Sequence, residues 1–287
     1  MFSYSLTAEG AVLNALTAGL YTWLMTALGS FAIIPFKKIS ERVLSGMLGL
    51  AAGVMVSASF WSLLVPSVNL ATGSGNSWLP VIGGFFLGGA LIRLLDLTVP
   101  HINYGVERAE GRSVTWNKNI LLVLAVTLHN IPEGLAMGVV FGGVTVTLNI
   151  STYSLALGAV EQAFSSLSQG PSLASAAVLT LGIGLQNTPE GFAVSMPLRV
   201  EGLSTKKSVF YGQFSAVVEP IFAVVGAAAV LAVTPILPIV MSLAAGAMLF
   251  ISVEELIPES QKNPDLATLS FMLGFAAMML LDIAFTV

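Results

Sequence analysis

Cysteine is absent from the 287-residue sequence, and histidine occurs only twice, at His101 and His129. Without cysteine the chain has no disulfide framework, no thiolate metal site and no c-type haem attachment. With only these two histidines it also lacks the His-Glu-x-x-His helix motif of zinc proteases. An intramembrane metal-dependent hydrolase is therefore disfavoured, and we expect neither enzyme activity nor a bound cofactor.

Charged residues are also scarce, at 9%, whereas 55% of residues are hydrophobic and the mean hydropathy is +0.89. This composition is typical of polytopic membrane proteins and excludes an ordinary soluble domain. We therefore expect a single all-α transmembrane domain over residues 1–287, built from eight apolar segments that can each cross a bilayer as a helix. The predicted segments are approximately 11–36, 43–65, 79–99, 119–143, 173–198, 208–233, 236–257 and 265–285. The stretch 151–168 contains Glu161 and Gln162, and we interpret it as an external loop with at most a short surface helix.

The basic residues fall on one side of this arrangement. Every lysine and arginine lies in or beside the connections after segments 1, 3, 5 and 7. Because basic loops stay in the cytosol, both termini are predicted to lie outside it. The predicted location is the cell (inner) membrane, with multiple passes.

Internal repeats relate the first three segments to the last three. Segment 3 at Phe85–Asp96 matches segment 8 at Phe271–Asp282, and Leu50–Met55 in segment 2 matches Leu243–Met248 in segment 7. Segments 1 and 6 match only faintly. Paired segments are five apart in order and so cross in opposite directions. This predicts a 3+2+3 arrangement, with inverted repeats around the central pair 4 and 5, and such repeats are typical of secondary transporters with a site near the midplane.

Two related polar motifs lie in that central pair. Residues 128–134 read Leu-His-Asn-Ile-Pro-Glu-Gly, and residues 185–191 read Leu-Gln-Asn-Thr-Pro-Glu-Gly. Residues four apart share one face of a helix, so each motif should form one polar stripe. The candidate site residues in these stripes are His129, Asn130, Glu133, Gln186, Asn187 and Glu190.

Prolines accompany the candidate site residues. Pro132 and Pro189 have no N–H to bond the carbonyl four residues earlier, so each helix is expected to kink and expose an oxygen. Segment 6 adds a third carboxylate, Glu219, directly before Pro220.

The side chains in these three segments suit a divalent cation. Ionisable groups at membrane depth cost about 2.5–3.5 kcal/mol each on insertion scales, which marks them as functional. Closely packed carboxylates repel unless they are protonated or bound to a cation. Imidazole and carboxylate ligands favour Zn²⁺, with Cd²⁺, Fe²⁺ and Mn²⁺ as further candidates. A channel-like metal pore could use the same ligands, whereas an organic-cation carrier would need an aromatic cage that the polar stripes lack.

The chain resembles the ZIP (Zrt/Irt-like) metal-ion transporters and is close to their prokaryotic GufA-type branch. The resemblance rests on the two motifs, on Glu219-Pro220 and on the eight segments with external termini. The resemblance implies uptake of divalent metal into the cytosol through a binuclear site of segments 4, 5 and 6. It also implies a homodimer and an elevator-like slide of segments 1, 4, 5 and 6 against segments 2, 3, 7 and 8. Many relatives have His at the position of Gln186, and some have Asp at that of Asn187, so the ligand field here is weaker.

Further acidic residues lie near the two ends of the predicted pathway. Asp96, His101, Glu254 and Glu255 are a candidate cytosolic exit site, for which the alternative is interfacial charge paired with Arg93. At the opposite end, Asp282 and Met55 are candidate entrance residues. The expected partners are divalent metal ions, the lipid bilayer and a second copy of the chain, with no nucleic acid.

Overall fold

The computed structural model describes residues 7–36, 38–72, 78–99, 118–156, 158–159 and 170–286, and all regular structure within them is helical. We number the long helices α1 to α8 in chain order. Five are continuous: α1 (Ala8–Phe31), α3 (Trp78–Thr98), α4 (Lys118–Ala156), α5 (Leu173–Val200) and α8 (Pro264–Thr286).

The other three long helices are each built from several helical stretches. α2 joins Glu41–Ala58, the π-helical Ser59–Leu64 and Val65–Thr72. α6 joins Thr205–Phe214, the 3-10 turn Ser215–Val217 and Val218–Ala232. After a 3-10 turn at Thr234–Ile236, α7 joins Leu237–Ile251, the π-helical Ser252–Leu256 and Ile257–Ser260.

Seven of these helices, all except α5, are long and apolar enough to cross a membrane. This confirms a multi-pass membrane protein. Helix α5 has 28 residues, but polar side chains interrupt its apolar run and face the interior of the bundle. A helix enclosed by its neighbours does not need a wholly apolar surface.

Helix α4 is longer than the predicted segment 119–143, because it continues to Ala156. The prediction that residues 151–156 belong to an external loop is therefore wrong. No glycine or proline interrupts the chain after Gly143, and the Ser151 hydroxyl donates a hydrogen bond of 2.8 Å to the Thr147 carbonyl within the helix. The helix ends where Gly158 adopts a φ of +78°, as glycine commonly does after a helix C-terminus. Glu161 and Gln162 lie outside the described residues.

Helix α1 ends earlier than predicted, at Phe31 instead of Phe36. The next residues form turns instead of continuing the helix. Arg199, near the end of α5, donates hydrogen bonds of 2.7 and 2.6 Å to the carbonyls of Ile33 and Phe36. The guanidinium thus satisfies carbonyls at the end of α1 and ties α1 to α5.

The helices pack in two groups. In one, α1 packs on α4, α5 and α6, and α4 packs on α6; in the other, α2 packs on α8 and α3 on α7. The groups meet mainly where α5 lies against α2 and where α4 lies against α7. The predicted central pair, α4 and α5, therefore lies at the boundary between the groups.

Corresponding positions of the sequence repeats make corresponding contacts. Gly88 of α3 packs against the backbone of Leu243 in α7, and its counterpart Gly274 of α8 packs against that of Leu50 in α2. The two π-helical stretches also begin at matching serines. The hydroxyl of Ser59 and that of Ser252 each donate to the carbonyl four residues earlier, at 2.7 and 2.9 Å.

Candidate functional site

The two central motifs meet in the interior of the first helix group. Asn130, Glu133, Gln186 and Asn187 are at most 1% exposed, and Glu190 is 7% exposed. Glu219 of α6 is also fully buried. Helices α4 and α5 run without interruption through Pro132 and Pro189, so the expected kinks stay predictions.

The glycine that ends each motif allows a close approach of helices. A Cβ atom on Gly134 would lie 2.5 Å from the Glu219 carbonyl oxygen, so only glycine lets α4 lie this close to α6. A Cβ atom on Gly191 would clash in the same way with the Thr26 carbonyl of α1. The motif thus combines polar ligands with the contact that brings a third helix to them.

Two side-chain amides donate to two of the buried carboxylates. Gln186 Nε2 of α5 donates to Glu133 Oε1 of α4 at 2.6 Å. Asn187 Nδ2 donates to both Oε1 and Oε2 of Glu219 at 2.9 Å. These bonds join α4, α5 and α6 around one polar centre. Each amide presents positive hydrogen atoms to a carboxylate.

Several polar atoms of this centre make no hydrogen bond. Among the described residues, eleven buried side-chain nitrogen or oxygen atoms lack a hydrogen bond, and six belong to the predicted site. They are His129 Nε2, Asn130 Nδ2, Glu133 Oε2, Gln186 Oε1, Asn187 Oδ1 and Glu190 Oε1. An unpartnered buried polar atom costs about 1–3 kcal/mol, so such atoms seldom gather without a ligand. Five of these six atoms can coordinate a metal ion; only the Asn130 amide nitrogen cannot.

His129 does not face Glu133, although four residues separate them. Its Nε2 atom lies 2.6 Å from Glu255 Oε2 of α7, in an ion-pair contact without hydrogen-bond alignment. The two residues line a cavity of about 40 Å³ with Glu190 and Glu259. The contact crosses the boundary between the two helix groups.

The described residues contain no group of three or more His, Asp or Glu side chains placed to hold a metal ion. The separation has a geometric cause. His129 is turned towards Glu255, and amides occupy two of the positions beside the carboxylates. The structure thus brings the predicted ligands into one region without closing them into a coordination shell.

The predicted exit residues separate into two places. Glu255 faces His129, whereas Glu254 lies beside Asp96 and 3.4 Å from Arg93. The two adjacent residues thus have different partners, and the exit role of this group stays a prediction. His101 lies outside the described residues.

The two candidate entrance residues have separate surroundings. Asp282 is buried, and its Oδ1 accepts a hydrogen bond of 2.8 Å from the Ser62 hydroxyl. Met55 is 1% exposed in the apolar core. These contacts leave the entrance role of both residues a prediction.

Similarity to known proteins identifies the family. A family model described as "ZIP Zinc transporter" matches residues 142–282. Zinc transporter ZIP11 of Homo sapiens is 35% identical, over 97% of this chain and 99% of that protein. Zinc transporter GufA of Myxococcus xanthus is 32% identical, over 94% of this chain and 98% of that protein. Zinc transporter ZIPB of Bordetella bronchiseptica is 35% identical, over 94% of this chain and 81% of that protein. The chain belongs to the ZIP family. The resemblance inferred from the motifs is confirmed.

In this ZIP-family protein, helix α1 contributes polar groups that the sequence interpretation missed. The Thr22 carbonyl accepts from Asn187 Nδ2 at 3.5 Å. Near the Glu219 carboxylate, the hydroxyls of Thr22 and Thr26 donate to the carbonyls of Gly19 and Thr22 at 3.1 and 3.2 Å. The available signal was the faint match of segments 1 and 6. Extending it from Gly19 and Gly212 pairs Thr26 with Glu219.

Proposed function

We propose that this protein transports divalent metal ions, with Zn²⁺ as its main substrate, and that it is not an enzyme. The observation that carries the proposal is the cluster of unpartnered buried atoms at the motifs of α4 and α5. A cation would satisfy their lone pairs and balance three buried carboxylates. The names of the relatives, all zinc transporters, support Zn²⁺ as substrate.

The amide groups of Gln186 and Asn187 act as temporary partners in the absence of metal. Each donates to a carboxylate that would otherwise be an isolated buried anion. When a cation arrives, the NH₂ hydrogens must leave the carboxylate, because donors and a metal ion cannot share one lone pair. Rotation of the amide then turns its carbonyl oxygen towards the ion. Metal ligation by His129 Nε2 likewise requires that the contact with Glu255 opens.

We propose that all eight helices cross the membrane, which adds α5 to the other seven, and that both termini lie outside the cytosol. The inverted repeats are α1 to α3 and α6 to α8, arranged 3+2+3 around α4 and α5. Matching contacts of Gly88 and Gly274, and matching π-helical stretches, support this symmetry. All eight helices form one transmembrane domain over residues 1–287, placed in the cell (inner) membrane.

Transport is proposed to run into the cytosol by alternating access, in an elevator-like slide of α1, α4, α5 and α6 against α2, α3, α7 and α8. This division follows the two packing groups. The Arg199 contacts, which join the ends of α1 and α5, support movement of these two helices together. On the family resemblance, the functional unit is a homodimer.

The proposed exit route runs from the central site past His129 to Glu255 and then Glu259. These side chains line the same cavity, and Glu255 already contacts a metal-ligand candidate. Replacing Glu255 with Gln should slow turnover more than it weakens central metal binding. Asp282→Asn tests the entrance in the same way. Wild-type uptake kinetics in both variants would mean that Glu255 and Asp282 have only structural roles.

The central test uses purified protein in proteoliposomes. We expect saturable Zn²⁺ uptake, with Cd²⁺, Fe²⁺ and Mn²⁺ as weaker competitors, and its loss in Glu133→Ala and Glu190→Ala. Wild-type rates in both variants would contradict the proposal. Acceleration of uptake by Zn²⁺ on the opposite side indicates a carrier, whereas a unitary conductance would indicate a channel-like pore.

Topology can be tested by cysteine labelling, because the native sequence contains no cysteine. In intact cells, cysteines replacing Ser74 or Gln169 should react with an impermeant thiol reagent, and those replacing Ser113 or Ser204 should not. Labelling at Ser204 but not at Gln169 would mean that residues 151–168 cross the membrane or that another crossing is miscounted.

A further inference from the structure

An apolar groove of about 720 Å³ lies on the outer surface between α3 and α7. Phe85, Phe86 and Phe250 line it, and Gly89 leaves room along its floor. A Cβ atom on Gly89 would meet only the Phe250 side chain, at 3.5 Å or more. The volume and apolar lining of this groove match the space that lipid acyl chains need.

One end of this groove carries opposite charges. Arg93 Nη1 and Glu254 Oε1 lie 3.4 Å apart, and their side chains remain 51% and 34% exposed. Asp96 lies beside Glu254 but is only 5% exposed, so the accessible charges at this end of the groove are those of Arg93 and Glu254. The pair is loose enough for each member to accept a second polar partner.

The repeat supplies an internal comparison. The corresponding surface between α8 and α2 carries Phe275 in place of Gly89, Met279 in place of Arg93 and Trp61 in place of Glu254. There, Phe275 stacks on Phe271 at 6.4 Å, and Trp61 packs edge-on against Phe60 at 5.1 Å. The fold therefore requires neither a glycine nor charged side chains at these positions, and both distinguish the α3–α7 surface.

We infer that the groove between α3 and α7 binds a phosphatidylethanolamine molecule of the cytoplasmic leaflet. The acyl chains lie along the phenylalanines, the phosphate contacts Arg93, and the ammonium group contacts Glu254. In the proposed topology this end of α3 is cytosolic. The inference goes beyond metal transport, since none of the central ligands takes part.

The charge pattern selects this headgroup among common phospholipids. A guanidinium binds phosphate oxygens through directed N–H donors. The primary ammonium of phosphatidylethanolamine has three donors for the Glu254 carboxylate, whereas the quaternary ammonium of phosphatidylcholine has none. Phosphatidylglycerol has no cation and would bring an anion close to Glu254 and Asp96. The expected order is therefore ethanolamine above choline and glycerol headgroups.

Native mass spectrometry of the purified full-length protein, titrated with the three lipids with identical acyl chains, tests this order. Because exposed charge pairs contribute little, we expect phosphatidylethanolamine to bind roughly twofold to fivefold more tightly than phosphatidylcholine. Arg93→Gln should weaken both lipids, and Glu254→Gln should remove the difference between them. Met279→Gln, at the corresponding position of the other repeat, should leave binding unchanged.

Equal affinities of the wild type for all three lipids, or tightest binding of phosphatidylglycerol, would overturn the inference. So would unchanged lipid binding in Arg93→Gln. If Arg93→Gln does not yield folded protein, Arg93→Lys keeps the charge and should keep the preference for ethanolamine over choline headgroups. Dissociation of a dimer by Arg93→Gln, with lipid binding intact, would assign the groove to a second copy of the chain. None of these outcomes depends on whether the protein transports metal.

Discussion

Replacing Glu133 with glutamine removes one buried negative charge while keeping the size of the side chain. Glu133 is fully buried, accepts from Gln186 Nε2 through Oε1, and has Oε2 without a partner. The glutamine carbonyl can still accept from Gln186, so the contact between α4 and α5 should persist. The substitution therefore separates metal binding from the packing of the helices.

The expected loss follows from the charge of this ligand. A hydrogen bond or ligand contact to a charged group contributes about 1.5–3 kcal/mol. Its removal should raise the Zn²⁺ dissociation constant about 10- to 150-fold. Uptake at low Zn²⁺ concentration should fall by a similar factor.

Isothermal titration of the purified protein with Zn²⁺ and uptake into proteoliposomes measure the two effects. The thermal midpoint without metal should stay close to that of the wild type. Glu41→Gln, at an exposed position in the first turn of α2, is the control for charge alone and should bind Zn²⁺ normally. Zn²⁺ binding by Glu133→Gln within twofold of the wild type would refute the assignment of Glu133 as a ligand.

Three further predictions concern the same centre. Gln186→His should shift uptake towards Zn²⁺ and Cd²⁺, because imidazole is a softer ligand than an amide oxygen; unchanged ratios among the four metals in competition assays would contradict it. Asn187→Asp should move the metal content of purified protein towards two ions per chain, because it places a carboxylate beside Glu219, and elemental analysis measures this. Zn²⁺ affinity should rise with pH, because the carboxylate and imidazole ligands must be free of protons to bind; titrations between pH 5.5 and 7.5 that show equal affinity would exclude coupled proton release.

Two short-range rules predicted that the polar side chains of the two motifs lie close together, whereas their role in metal binding stays a prediction. The spacing of four residues places polar side chains on one helical face, and the repeated motif indicates that two such faces belong together. Burial of Glu133 and Glu190 agrees with that prediction. Whether their carboxylates bridge one ion stays a prediction.

The partner of His129 could not be predicted in the same way. Glu255 lies on α7, far along the chain, and within a π-helical stretch. An inserted residue in a helix changes the direction of the side chains around it, and no periodic pattern in the sequence reveals it.

The length of α4 shows a different limit of sequence interpretation. Several serines, together with Glu161 and Gln162, favoured an external loop over residues 151–168. In the structure the Ser151 hydroxyl bonds to the Thr147 carbonyl of the same helix. Serine and threonine are compatible with both a helix and a loop. Where the helix stops therefore depends on the residue that ends it, which here is Gly158.

The two halves of the chain share glycine contacts between helices but differ in their candidate ligands, and these two features have separate consequences. Gly88 and Gly274 make matching contacts in the two halves. In the proposed carrier, such matching would let the same chain adopt two opposite-facing arrangements of similar free energy. The ligands differ, however, since His129 corresponds to Gln186 and Glu255 corresponds to Ser62. Because a ligand shifts an equilibrium only through its different affinity for the two states, these differences determine how strongly metal favours each one. In the proposed carrier, the backbone symmetry thus permits the exchange, and the ion gradient together with the unequal ligands sets its outcome.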